Sequence, residues 1–181
     1  MRRFVKALPI LAALSCATLP ALGDEALLAQ LGDMGITITP ELQALVESGL
    51  DGESVDSLGP LIDALDGHIE AIGAVTGAAI KANPDRASQI VSLATLRSPS
   101  AASVITKAAI NAVSSSGAAA DAVIVAIVTA AVKAAPAQAE SVRIAATTAA
   151  PASQAAIDAA IDAALPQDSD QEESSEPPSP A

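Results

Sequence analysis

The sequence contains very few aromatic or sulfur-containing residues. Its one aromatic residue is Phe4, its one cysteine is Cys16, and His68 is its single histidine. Phe4 and Cys16 both lie in the N-terminal segment 1–23, for which we predict removal on export. The remaining chain would contain no cysteine, phenylalanine, tyrosine or tryptophan, which excludes disulfides, thiol catalysis, cysteine-ligated metals and base-stacking platforms. Hydrophobic residues nevertheless make up 51% of the chain. Because many of them are alanine, a core must be built from small side chains.

The segment 1–23 has the three parts of a secretory signal peptide. Arg2, Arg3 and Lys6 form a positive start, an apolar stretch follows, and Ala21-Leu22-Gly23 puts small residues ahead of Asp24. The apolar stretch is shorter than the ~20 residues that a membrane-spanning helix needs. We therefore predict an exported protein, periplasmic or secreted, that is cleaved near Gly23 and Asp24.

Two other interpretations of the N-terminus remain open. Ala13-Leu14-Ser15-Cys16 resembles a bacterial lipoprotein site, although Ala13 stands where leucine is expected. Lipidation at Cys16 would tether the protein to a membrane. Alternatively, the N-terminal segment 1–23 would remain in the mature protein as an amphipathic helix.

Charge divides the rest of the chain into three parts. Residues 24–70 contain 11 acidic residues and no lysine or arginine, residues 71–165 are nearly neutral, and residues 166–181 contain five acidic residues and four prolines. The net charge of −12 disfavours binding to phosphate backbones, so we expect no nucleic-acid partner. The segment 167–181 has almost no apolar residue, which predicts a disordered acidic tail.

The prolines mark a repeat with a period of fifteen. Pro84 and Pro99 are fifteen positions apart, and the same spacing separates Pro136 from Pro151 and Pro151 from Pro166. Blocks of fifteen aligned on these prolines give the units 70–84, 85–99, 100–114, 122–136, 137–151 and 152–166, of which five end in proline and one in Ser114. The sixth position of every unit is β-branched: Val75, Ile90, Ile105, Ile127, Val142 and Ile157. Such internal similarity is typical of repeat architectures.

The spacing within each unit predicts a short helix. Positions 6, 9/10 and 13 share one helical face, and the proline suits the first turn of the next helix. We therefore predict an all-α fold: an array of mostly antiparallel helices of about 12 residues, either an α-solenoid or a compact helical domain. Asn83 and Ser98 precede prolines and are predicted N-caps. Gly73 and Gly77 would allow close helix approach, and no transmembrane helix is expected in the mature chain.

Residues 115–121 interrupt the repeat and would split the array into two sets of three units. Ser114 to Gly117 predicts a helix stop, and Asp121 a possible N-cap. The run from Ala122 to Val132 predicts the most buried helix, with a strand as the alternative. Residues 24–69 predict an acidic cap of short helices, with larger apolar residues inside, that covers the start of the repeats at 70–166.

The sequence offers no candidate residue for a catalytic or metal site. His68 is isolated, and Gly52-Glu53-Ser54-Val55-Asp56 lacks the last glycine of a nucleophile elbow. The nearby carboxylates Asp51, Glu53 and Asp56 do not match an EF-hand loop.

A second pair of carboxylates, Asp158 and Asp162, lies on one helix face, where we expect the two to repel each other. Phosphate-binding, dinucleotide-binding and zinc-protease motifs are all missing from the sequence. We therefore assign no catalytic, cofactor-binding or metal-binding residue, and no cofactor.

The Ala-Ala-Pro endings and Ile-x-x-Ala-Ala interiors of the units resemble repeats in uncharacterised exported bacterial proteins that are rich in alanine. The resemblance covers residues 70–166 and implies export and an all-helical fold, without an activity. The sequence favours a non-enzymatic interaction or structural module of the cell envelope. The alternative is a carrier or surface binder of apolar ligands or lipid.

The intact mass of the exported protein tests the predicted processing. Cleavage before Asp24 leaves a chain without aromatic residues, whereas a lipidated Cys16 leaves a longer chain carrying acyl groups. We expect the mass of residues 24–181. A mass that includes Cys16 and lipid would show the lipoprotein interpretation to be right.

Overall fold

A computed structural model describes residues 22–50, 54–117 and 121–165. The predicted acidic tail and nearly all of the predicted signal peptide, including Cys16, lie outside these ranges. Within them the chain forms helices and turns and no strand, which confirms the all-α prediction. The α-helices are α1 (Leu22–Asp33), α2 (Pro40–Leu50), α3 (Leu58–Ala64), α4 (Ile69–Ala82), α5 (Ala87–Arg97), α6 (Ala102–Ser115), α7 (Asp121–Ala134), α8 (Ala139–Ala149) and α9 (Gln154–Ala164).

Each repeat proline within the array begins a short 3₁₀ turn that leads into the next α-helix. These turns are Pro84–Arg86, Pro99–Ala101, Pro136–Gln138 and Pro151–Ser153. Asn83 and Ser98 occupy the predicted N-cap positions of these turns, but neither side chain makes a capping hydrogen bond. Their backbone carbonyls accept the turn's hydrogen bonds instead, and Ala135 does the same with no polar side chain at all. Because proline has no N–H group that needs a partner, these turns form with backbone hydrogen bonds alone.

Each helix of the array packs mainly on the helix two places further along the chain. α4 packs on α6 and α6 on α8, while α5 packs on α7 and α7 on α9. Consecutive helices make smaller contacts, so α4, α6 and α8 form one layer and α5, α7 and α9 form the other. The predicted antiparallel arrangement of neighbours is only approximate, since α7 and the Pro136–Ala149 segment meet at a bend of 118°.

The repeat positions 6 and 10 form the buried centre of every unit. All six β-branched residues at position 6 are at most 2% exposed, and the residues at position 10 are equally buried. Position 13 is less buried than the other two, since Ala82 and Arg97 are exposed, Ala112 is fully buried and the remaining three residues are partly buried. At about 100° per residue, position 13 lies at the edge of a buried arc that also takes in positions 7 and 11. That arc is wide because each helix contacts both layers.

The N-terminal segment packs on the first helices of the array. α1 contacts α4, α3 contacts α5, and α2 lies against both α3 and α4. The Arg97 guanidinium pairs with Asp63, which joins α5 to α3. The backbone N–H of Leu42 donates to the Thr39 hydroxyl at 3.2 Å, so Thr39 caps the start of α2. Leu31 of α1 and Leu61 of α3 are fully buried.

The interruption of the repeat leaves the packing of the two layers continuous. α6 ends at Ser115 and Gly117 has a φ of 75°, which confirms the predicted helix stop. Helices before the interruption pack on helices after it, α5 on α7 and α6 on α8, so the array is not split into two sets. Asp121 is the first residue of α7, and its Oδ1 accepts a hydrogen bond from Ser153 at 2.7 Å.

The apolar run that starts at Ala122 is helical, not a strand. It forms α7, in which Ile127 and Val128 are fully buried. The prediction that this run forms the most buried helix is wrong, because α4 and α6 each bury more residues. Small residues within the run, such as Ala126, reach the surface of α7. A run of β-branched residues therefore overstates the burial of the helix.

Replacing a fully buried β-branched residue should destabilise the protein far more than the same change at the surface. Ile127 is fully buried and Ile144 is 59% exposed. We expect Ile127→Ala to lower the free energy of unfolding by ~2–5 kcal/mol, because it leaves a cavity in the core. Ile144→Ala, the matched control, should change it by less than about 1 kcal/mol. Thermal unfolding followed by circular dichroism measures both, and equal losses would contradict the repeat frame.

Candidate binding groove

A groove of about 910 Å³ lies between α1, α4 and α6, with Leu50 from the end of α2 also lining it. Its size is within the range of small-molecule binding sites, about 300–1,000 Å³. The lining residues are mostly alanine, glycine and leucine: Ala26, Leu27, Gln30, Leu50, Gly73, Ala74, Gly77, Ala78, Lys81, Ala82, Ala108, Asn111, Ala112 and Ser115. The groove is therefore apolar with a few polar groups, the usual composition of a ligand pocket.

The floor of the groove depends on the close approach of α4 and α6. A Cβ atom added at Gly73 would lie 2.6 Å from Cγ1 of Val104, which is too close for a real contact. A Cβ atom at Gly77 would lie 3.7 Å from the Cβ of Ala108, an ordinary van der Waals distance. The predicted close helix approach therefore requires a glycine at Gly73, whereas the position of Gly77 has room for a Cβ atom.

The two contacts also fix the relative register of α4 and α6. Gly73 lies against Val104 and Gly77 against Ala108, so the helices advance together in steps of four residues. The next step places Lys81 beside Ala112. Three of the four polar lining residues, Lys81, Asn111 and Ser115, therefore gather at the C-terminal ends of α4 and α6, while Gly73 and Ala74 lie towards the other end; the fourth, Gln30, comes from α1. The lining that α4 and α6 contribute is polar at one end and apolar at the other.

Lys81 is the one charged side chain that lines the groove within the described part of the chain. It lies in the last turn of α4, where a cation is favourable to the helix dipole. The long apolar stem of lysine allows the ammonium group to reach water or a ligand while its methylenes cover the alanine surface. The lining contains no described acidic residue, in a chain whose net charge is −12.

A separate ionic cluster closes the C-terminal end of the array. Arg143 lies 3.5 Å from a carboxylate oxygen of each of Glu140, Asp158 and Asp162. The guanidinium offsets the repulsion that the sequence predicts between Asp158 and Asp162, because it lies 3.5 Å from an oxygen of each. Sequence reasoning considered only one helix, whereas the partner comes from the preceding one.

Three residues of this cluster lie at repeat positions 7 and 11, where the earlier units carry apolar residues or threonine. At position 7, Thr76, Val91, Thr106 and Val128 are buried, but α8 and α9 carry Arg143 and Asp158. Position 11 changes in the same way, ending at Asp162, which is exposed. Repeat arrays need such a polar last unit, because an apolar end would invite further stacking. We regard the cluster as a structural end of the array.

The other polar residues considered from the sequence lie apart from one another. His68 precedes α4 without capping it and lines a small cavity of about 370 Å³ with Met34 and Ile36. Ser54 accepts a hydrogen bond from the N–H of Asp56, so it caps the Val55–Ser57 turn. Asp51 and Glu53 lie outside the described residues. In the described ranges no group of three or more His, Cys, Asp or Glu side chains could hold a metal ion.

A second cavity, of about 790 Å³, lies on the opposite layer between the Val55–Ser57 turn, α5 and α7. Its lining is a mixture of polar and apolar side chains that includes Asp56, Arg86 and the exposed Leu96. Because charges of both signs line this cavity, it lacks the division into a polar and an apolar end that marks the α1, α4 and α6 groove.

No single helix among the described residues is long and apolar enough to cross a membrane. One bent pair, α7 with the Pro136–Ala149 segment, satisfies length and composition only when both helices are taken together. Comparison with protein-family models, with curated proteins and with solved structures finds no match to the chain.

Sequence reasoning did not find the groove, although two signals for it exist. One is that Lys81 follows the small residues Gly73, Ala74, Gly77 and Ala78 at helical spacing. The other is the shared alanine and glycine content of units one and three, which second-neighbour packing brings together. Neither signal shows that α1 would form the third wall.

Gly73 and Gly77 should respond in opposite directions to the same substitution. Gly73→Ala should destabilise the protein by about 1–3 kcal/mol, because its Cβ overlaps the stiff side chain of Val104. Gly77→Ala should stabilise it by roughly 0.5–1 kcal/mol, since alanine is the better helix former and has room. Chemical denaturation measures both changes.

The double variant Gly73→Ala with Val104→Ala provides the control. Removing the valine methyls relieves the overlap, so the two changes together should cost less than the sum of the single changes. If Gly73→Ala and Gly77→Ala shift the unfolding midpoint equally, α4 and α6 do not approach as closely as these distances indicate.

Proposed function

We propose that the chain is a non-enzymatic, exported helical-repeat protein that acts as an interaction or structural module in the cell envelope. The observation that carries this proposal is the open, mostly apolar groove on one layer of the two-layer array. Its lining consists mostly of small side chains, so a partner can approach the helix backbones closely. The scarcity of histidine and cysteine in the sequence supports a binding role over catalysis.

Site-specific photo-crosslinking in the producing cell tests this proposal. A photoreactive amino acid replaces Ala78, which lines the groove, or Ala126, which is exposed on α7 in the other layer. We expect discrete crosslinked products from position 78 and none from position 126, because only the groove is occupied. The same products from both positions, or none from either, would contradict a groove-centred interaction module.

A purified protein that turns over a panel of hydrolase or oxidoreductase substrates would also contradict the proposal. The activity must follow the protein peak through purification, so that a contaminating enzyme is excluded.

The second candidate function is a carrier or surface binder of apolar ligands. The alanine, glycine and leucine lining of the groove favours it, since apolar walls with few polar groups are the usual surroundings of a bound small molecule. Native mass spectrometry of protein purified from its own host distinguishes the two. Bound lipid in the spectrum supports the carrier, and a mass without ligand supports the module that contacts other proteins.

A further inference from the structure

We propose that the groove between α1, α4 and α6 binds a single-chain carboxylate amphiphile, the chemistry of a fatty acid, with the carboxylate at Lys81 and the chain towards Gly73. This inference rests on the second candidate function above and specifies its ligand and site.

The first argument is the polarity of the groove along its length. The register of α4 and α6 gathers Lys81, Asn111 and Ser115 at one end, and leaves small apolar residues from Gly73 onwards. Lys81 follows Gly73 by eight residues, about 12 Å along the helix axis. A molecule with one polar head and one unbranched apolar chain has the same division of polarity over a comparable length.

The second argument is the charge of the lining. An anionic head taken from water needs a cation or hydrogen-bond donors, and Lys81 with the amide of Asn111 supplies both. No described Asp or Glu lines the groove, although acidic residues outnumber basic ones by 21 to 9 in the whole chain. An acidic protein that keeps one groove free of carboxylates and places a lysine there is complementary to a negative ligand.

The third argument selects a carboxylate over a phosphate head. A phosphate of charge near −2 is held by clusters of arginine or by several positive groups. The groove provides a single ammonium with uncharged neighbours, which matches a head of charge −1. Apolar contact with Ala74, Ala78 and Leu27 then supplies most of the binding free energy, because burial of apolar surface is its largest source.

Titration calorimetry with four probes that share a dodecyl chain tests the inference. The probes are dodecanoate, dodecyl phosphate, dodecanol and dodecyltrimethylammonium, each below its micelle concentration, added to the exported protein after removal of co-purified lipid. We expect dodecanoate to bind one to one and more tightly than the other three. Equal affinity for all four probes would overturn the carboxylate head while leaving an apolar binder.

Lys81→Gln and Lys133→Gln form a matched pair for the head. Both lysines are exposed, occupy repeat position 12 and lie in the last turn of a 14-residue helix, but only Lys81 lines the groove. We expect Lys81→Gln to weaken dodecanoate binding about three- to tenfold, and to leave dodecanol affinity unchanged. Lys133→Gln should change neither. An equal response of the two variants would overturn the role of Lys81.

Filling the groove tests the position of the chain. The double variant Ala74→Leu with Ala78→Leu places two larger side chains in the lining, and Ala126→Leu is the control on the other layer. Dodecanoate binding should be lost in the first variant and kept in the second, with circular dichroism showing both to be folded. Full binding by the folded double variant would overturn the placement of the chain.

The outcomes separate this inference from the proposed function. If no probe binds and position 78 still crosslinks to a protein in the cell, the groove takes a polypeptide and the inference fails while the interaction module stands. If neither probe nor crosslink is observed, both fail.

Discussion

Close approach between second-neighbour helices is the constraint on which the rest of the structure depends. Many buried residues of the array are alanine, whose side chain has little volume to bridge a gap, so contact at these positions is made only when the helix axes come near each other. Val104 against Gly73 shows how little space remains between α4 and α6. The β-branched residue at position 6 of each unit, such as Ile105, then fills the space between the layers. Larger residues at the alanine positions would push the layers apart.

An array built in this way must also end, and its two ends differ. At the N-terminal end α1 and α3 carry leucines, and their larger side chains, Leu31 and Leu61 among them, bury the start of the array. At the C-terminal end the helices keep the repeat length, but Arg143 and Asp158 replace the earlier residues at position 7. The first end is covered by added helices, and the second becomes compatible with water by a change of residue type.

The sequence predicted the helices and the centre of each unit because those depend on local periodicity. Position 6 is readable from β-branched residues such as Ile127, and the helix stop at Gly117 from its glycine. The burial of positions 7 and 11 was missed because it follows from packing on a second neighbour, which local pattern does not reveal. The pairing of Arg143 with Asp162 was missed for the same reason. The groove required the position of α1 relative to α6, two helices far apart in sequence.

The groove and the array have the same physical origin. Gly73 and Gly77 allow α4 to approach α6, and the small side chains of Ala74 and Ala78, which are only partly buried, line the space on the outer side of the pair. α1 borders that space without filling it, because its nearest lining residues include the short Ala26. The small residues that allow close helix packing therefore also create a concave apolar surface. Helix packing does not require Lys81. Arg97 in the last turn of α5 pairs with Asp63 and so joins two helices, whereas Lys81 in the last turn of α4 faces a groove without a described carboxylate.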